Sequence, residues 1–200
     1  MNVYDFDKTI FVGDSEDRFF EYIFSKPGFG HWKLYWHIMD KLYKAKILSR
    51  TASRQQQYRF LKDIPDVDKT VEEYWETVWQ YMMPWYFEVK RDDDVIATGT
   101  PRFLLEPAMR RLGLTNLVAT EMDRHTGRIE GKFAIKADKL DHFDRQFGKE
   151  NIDKFYSDDY ADNFLAQYAK EAYACKDGNI YPWTEYFEAH PELKNKVQFR

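Results

Sequence analysis

A chain of 200 residues, 44% hydrophobic and 32% charged, suits one globular domain, or one domain carrying a large insertion, able to bury a real core. Its net charge of −4 argues against general nucleic-acid binding, and its single cysteine, Cys175, excludes an internal disulfide framework or a multi-cysteine zinc site. No apolar run approaches the ~20 residues of a membrane span. Asp5 and Asp7 fall where a signal peptide would carry its basic start and apolar middle. These properties predict a soluble, cytoplasmic protein with no nucleic-acid partner and no stable membrane insertion, and they leave the oligomeric state open.

The opening residues, Met1 to Ile10, end a short apolar run in two carboxylates spaced two apart. A strand over Val3–Phe6 would put Asp5 and Asp7 on one side, a costly pairing unless a cation sits between them or one is protonated. Phe11 to Ser15 reads as a turn in which Gly13 supplies backbone freedom and Asp14 or Ser15 caps the next helix. That helix carries Phe19, Phe20, Tyr22, Ile23 and Phe24 and stops at Lys26-Pro27-Gly28.

A second helix is predicted over His31–Leu48, a third over Ser49–Leu61 and a fourth over Thr70–Met83, with Pro84 near its end. No strand signal falls between Asp14 and Arg91, where five of the six tryptophans lie, so the segment reads as an all-helical module with a tryptophan-lined core. Residues 31–63 hold eight basic residues, Lys33, Lys41, Lys44, Lys46, Arg50, Arg54, Arg59 and Lys62, against Asp40 and Asp63. Such a run reads first as a solvated helix face, and second as a positive lid that draws in an anionic substrate.

From Asp92 short apolar runs alternate with helices, the pattern of βαβ units over a parallel sheet. Strands are predicted at Val95–Ala97, Asn116–Thr120, Lys154–Tyr156 and Glu171–Cys175, and helices at Pro101–Arg111 and Lys136–Phe147. A small hairpin is expected within Asp123–Phe133, and a turn at Asp177-Gly178. Asp5 and Asp7, Thr98-Gly99, and Asp158 to Asp162 each follow directly on a predicted strand. In an open parallel sheet the carboxyl ends of the strands share one edge, where ligands bind. Three acidic or hydroxyl clusters on that edge amount to a site.

At this point the chain resembles, over nearly its whole length, a haloacid dehalogenase superfamily hydrolase of the phosphoserine-phosphatase-like subfamily. Asp5-Phe6-Asp7-Lys8-Thr9 matches that family's first motif, and Val95 to Pro101 is similar to its second. Residues 126–139 resemble the segment carrying its lysine, and Phe155 to Asp162 its fourth motif. The resemblance implies a Rossmann-like core at residues 1–13 and 92–200 with a helical cap at 14–91. It implies a Mg²⁺-dependent phosphatase acting on a small phosphorylated substrate.

The roles implied are individually sound. Asp5 would attack phosphorus and form an aspartyl-phosphate, while Asp7 would serve as general acid and base. Asp5, the Asp7 backbone carbonyl and Asp158 would hold Mg²⁺, and Asp162 would orient metal-bound water. Thr98, Gly99 and a lysine would bind the phosphoryl oxygens. That lysine is Lys139 on one version of the pattern and Lys136 on another; Lys139 is preferred. Asp14 reads as a helix cap that could also meet the substrate at the start of the cap.

Cys175 reads as buried and inert, Asp159 as a solvated neighbour, and the five histidines as surface or packing residues. Other readings are a lipid-phosphate phosphatase, suggested by the basic aromatic cap, a carbon–halogen hydrolase, which needs neither Asp7 nor Asp158, and a non-catalytic member of the fold.

Overall fold

Six strands form one sheet in the computed structural model, which describes residues 1–198; residues 199–200, assigned above to the core, lie outside the described residues. They are β1 (Asn2–Tyr4), β2 (Val95–Pro101), β3 (Asn116–Thr120), β4 (Lys154–Ser157), β5 (Glu171–Lys176) and β6 (Asn179–Pro182). The order across the sheet is β3-β2-β1-β4-β5-β6, parallel except that β6 runs antiparallel to β5. This is the α/β, Rossmann-like architecture predicted. Its sixth strand was not: Asp177 and Gly178 both take positive φ, 50° and 82°, so they form the two-residue hairpin that returns the chain along β5.

Between β1 and β2 the chain is helical: α1 (Ser15–Phe24), α2 (Gly30–Lys44), α3 (Arg50–Gln57), α4 (Val67–Val78) and α5 (Pro84–Val89), with 3₁₀ turns at Arg59–Asp63 and Trp79–Tyr81. The remaining helices are α6 (Arg102–Leu112), α7 (Lys136–Phe147), α8 (Asn163–Ala166), α9 (Trp183–Ala189) and α10 (Pro191–Gln198). Several boundaries differ from expectation for local reasons. The second helix stops at Lys44 because Lys46 turns to φ 59°. Ser49 caps α3 by accepting the Ala52 N–H (3.1 Å), and the helix tightens into a 3₁₀ turn after Gln57. Asp66 caps α4, which begins three residues before the predicted start, by accepting from the Lys69 N–H (2.9 Å). Pro84 opens a helix where it was expected to close one, because its missing N–H is harmless at a first helical position.

Side chains alternate across the sheet and fill two apolar layers. Val3, Val95, Ala97, Val118 and Phe155 point to one face, where Phe143 of α7 and Trp183 and Phe187 of α9 cover them. Tyr4, Ile96, Leu117 and Tyr156 point to the other, which is continuous with the aromatic interior of α1–α5 and with α6. Within that second layer Trp75 ties α4 to α6 by donating its indole N–H to the Leu104 carbonyl (2.6 Å). The expected strand over Val3–Phe6 ends at Tyr4, since the Phe6 carbonyl turns away to accept from the Ile10 and Phe11 N–H groups. Outbound and returning connections then lie side by side: Val12 N–H donates to Tyr81 O and Met83 N–H to Ile10 O, both at 2.8 Å.

Candidate active site

β1 lies between β2 and β4, so the residues following these three strands converge at one place. Asp5 continues the ladder by one residue through its N–H to the Tyr156 carbonyl (2.8 Å), which presents its side chain at that edge. A cavity of about 190 Å³ opens there. Asp5, Asp7, Asp14, Thr98, Gly99, Lys136, Lys139, Asp158 and Asp162 all line it, so every site residue predicted from the sequence is brought together. None of the histidines does.

The centre is a buried charge cluster. Lys139 Nζ donates to Asp5 Oδ1 (3.2 Å) and Asp162 Oδ2 (2.9 Å), and Ser157 Oγ donates to the same Asp162 oxygen (2.8 Å). The side chains of Lys139, Asp5 and Asp162 are 5%, 13% and 7% exposed, too little for water to screen the charges strongly. Lys136 stands on the cavity wall at the first position of α7, with φ 51°, while Lys139 one turn later reaches Asp5.

Asp7 is held apart from that cluster. Its Oδ1 accepts the Ser15 N–H at the start of α1 (2.6 Å), and its Oδ2 accepts the Thr100 hydroxyl (2.8 Å). Burial pushes Asp5 and Asp7 up to about 7 and Asp158 up to about 8, with carboxylate–carboxylate repulsion adding to it. Lys139 pulls Asp5 back down, and the Ser15 and Thr100 hydrogen bonds do the same for Asp7. Burial opposes the charge on Lys8, but Asp158, Asp14 and Asp7 hold its ammonium above the usual lysine value.

Four carboxylates, Asp5, Asp7, Asp158 and Asp162, therefore share the charges of Lys8 and Lys139. That negative excess and the all-oxygen donor set fit a hard divalent cation. Among the described residues no group of three or more His, Cys, Asp or Glu side chains converges as a metal site. The side chains available to such a cation at this edge are the carboxylates of Asp5 and Asp158.

One wall of the cavity comes from β2. Thr98 is buried within β2, which runs past the expected end at Ala97 to Pro101, and its Oγ1 accepts the Thr100 N–H (3.2 Å). Gly99 is needed by close packing: a Cβ there would stand 3.0 Å from Ile135 Cγ2. Asp14 both lines the cavity and caps α1, accepting the Asp17 N–H (3.0 Å). Asp159 caps the next turn through the Ala161 N–H (3.0 Å).

The family model for haloacid dehalogenase-like hydrolases matches residues 3–167. The chain belongs to that family. Solved structures similar to it include a protein of unknown function from Bordetella pertussis Tohama I, at 19% identity and TM-score 0.74, covering 96% of this chain and 95% of that one. A phosphoserine phosphohydrolase-like protein from Francisella tularensis is also 19% identical, with TM-score 0.57 and 87% of each chain covered. A substrate-bound phosphoserine phosphatase complex is 19% identical, with TM-score 0.57, covering 98% of this chain and 89% of that one. At these identities the likeness is one of fold. No curated protein matches the chain.

The structure adds residues that sequence reasoning did not assign to the site. Thr100 orients Asp7, and Ser157 orients Asp162. Both sit inside motifs already singled out, so their position at a strand end was the available signal. Glu16, Arg50 and Arg54 line the cavity from the helical segment. Glu16 accepts the Tyr58 hydroxyl (2.6 Å) and lies 3.5 Å from the Arg54 guanidinium, a buried triad joining α1 to α3. Nothing in the spacing of residues 16, 54 and 58 announces it.

Proposed function

We propose that this hydrolase is a Mg²⁺-dependent phosphatase that cleaves a phosphomonoester through an aspartyl-phosphate on Asp5. The observation that carries the reading is the separation of two carboxylates only two residues apart. Asp5 faces the buried Lys139 ammonium, while Asp7 is fixed on different partners, Ser15 and Thr100. One is placed to meet phosphorus and the other to handle a proton. The description of structural neighbours as phosphoserine phosphatases supports the reaction class.

Asp5, Asp158 and the Asp7 carbonyl would hold the Mg²⁺. When bound, the ion neutralises phosphoryl oxygens and so permits an anionic nucleophile to approach. Lys139, the Thr98 hydroxyl and the Gly99 N–H bind the same oxygens. An Asp5 oxygen attacks phosphorus, the bond to the leaving oxygen breaks, and protonated Asp7 gives that oxygen its proton. Water then attacks the phosphorus, Asp7 takes the water proton, and Asp5 is released with inorganic phosphate. A proton affinity near neutrality suits both halves of that exchange. Asp162 keeps Lys139 aimed at Asp5. Residues 14–91 act as a cap over a core of residues 1–13 and 92–200, with Asp14 meeting the leaving group.

Asp5→Asn should abolish turnover of p-nitrophenyl phosphate and leave the circular dichroism spectrum intact. EDTA should stop the wild-type enzyme and Mg²⁺ restore it. Turnover by Asp5→Asn at the wild-type rate would sink the mechanism.

A further inference from the structure

The catalytic cavity does not end at the phosphate. A second, larger groove of about 640 Å³ shares Asp14, Arg50 and Arg54 with it and continues outward between α1, α2 and α3. Its far wall includes Tyr43, Lys44 and Lys46. Arg50 and Arg54 thus stand between the cavity beside Asp5 and the C-terminal end of α2.

The charges there are unevenly committed. Lys44 is paired with Asp40 (2.6 Å), and Arg54 stands 3.5 Å from Glu16. Asp14 is engaged in capping α1, although Asp17 also borders the groove. Lys46 is exposed and, among the described residues, its ammonium has no ion-pair partner. Its backbone is also in an unusual state. Lys46 N–H donates to Tyr43 O (2.8 Å) and Ile47 N–H to Leu42 O (2.9 Å), the helix-ending arrangement that glycine usually fills, yet a lysine occupies it at φ 59°. Four non-glycine residues take positive φ among the described residues: Lys8 and Lys136 line the catalytic cavity, Lys46 lines the groove, and Asp177 makes the β5–β6 hairpin. Backbone strain at a non-glycine residue persists where the surroundings enforce it and clusters at sites of function.

We infer that this groove is a second-anion subsite: the substrate is a phosphomonoester whose extended leaving group carries another negative group, carboxylate or phosphate, at its far end against Lys46. This rests on the phosphatase reading above and specifies its substrate class. The local excess of basic residues in 31–63 then has a use beyond solvation.

The test compares three series from propyl to octyl: monoalkyl phosphates with a neutral end, ω-phosphooxyalkanoates, and α,ω-alkanediol bisphosphates. The anion-ended substrates should be preferred in kcat/KM, with the preference rising with chain length, and the two anionic arms distinguish carboxylate from phosphate. Lys46→Gly removes the cation while relieving the backbone, so the variant should fold at least as well as the parent. It should cut the anionic-over-neutral ratio about fivefold, chiefly through KM. Lys41→Ala removes the same charge from α2 without touching the groove and should leave the ratio unchanged. An enzyme that hydrolyses all three series without preference, or whose ratio survives Lys46→Gly, overturns the subsite alone. One that hydrolyses no phosphomonoester overturns the phosphatase reading with it.

Discussion

Replacing Lys139 by methionine keeps the length of the side chain and deletes the one charge that stands between Asp5 and Asp162. Its ammonium lies 3.2 Å from the first and 2.8 Å from the second, with all three side chains nearly out of water. Losing one partner of a buried ion pair costs about 3–5 kcal/mol, which at this chain length corresponds to roughly 6–20 °C in Tm. Part of that cost can be relieved by protonation. Burial already raises Asp5 to about 7, and removing Lys139 takes away the attraction that holds it down. A carboxyl whose folded-state pKa lies above its unfolded one loses stability as pH rises through the folded value. The variant should therefore be moderately destabilised at pH 6 and more so at pH 8. Urea or thermal unfolding in metal-free buffer at both pH values reads this directly. Turnover of p-nitrophenyl phosphate should fall by about 10²–10³ at saturating Mg²⁺, the usual cost of one electrostatic contact to a developing charge. Equal stability of variant and parent at pH 8 would refute the idea that Lys139 neutralises this cluster.

Two further outcomes follow from other buried groups. Tyr58→Phe removes the hydroxyl that donates to Glu16 at 2.6 Å, a bond to a buried carboxylate, and should cost about 2 kcal/mol, or roughly 4–8 °C in Tm. A scanning calorimetry trace that superimposes on the parent's contradicts the triad's role in joining α1 to α3. Cys175 is 3% exposed, and burial, followed by the charges of Asp158 and Asp5, pushes its thiol up to about 12. It should ignore a disulfide reagent at pH 8 until denaturant is added, whereas stoichiometric release of chromophore by the native enzyme would show the thiol to be accessible.

The parallel sheet was legible because its strands are short apolar runs that carry chemistry at one end: Asp5 and Asp158 sit just past β1 and β4, Thr98 lies within β2, and the three strands bring them together. The choice between Lys136 and Lys139 was not legible from spacing. It depends on which turn of α7 faces Asp5, a matter of how the helix docks on the sheet. β6 was missed because Asn179–Pro182 is exposed along its length and so lacks the alternation of a half-buried strand. Its signal was instead the Asp177-Gly178 pair, a hairpin turn hidden in a polar stretch. The Glu16–Arg54–Tyr58 triad was invisible for a different reason: its members come from separate helices and carry no motif, and only tertiary packing makes them neighbours.

The hydrogen bond from Ser15 N–H to Asp7 has a reach larger than its 2.6 Å. Ser15 is the first residue of α1, so the donor that lowers the proton affinity of Asp7 belongs to the helical segment and not to the sheet. Any motion that lifts α1 carries that donor away together with Asp14, whose charge raises the same carboxyl, and admits water to it, so the proton affinity of Asp7 changes with the position of α1. By reciprocity, a change in the protonation of Asp7 changes how firmly α1 is held by the same free energy. The proton on Asp7 and the seating of α1 are thus two readings of one equilibrium.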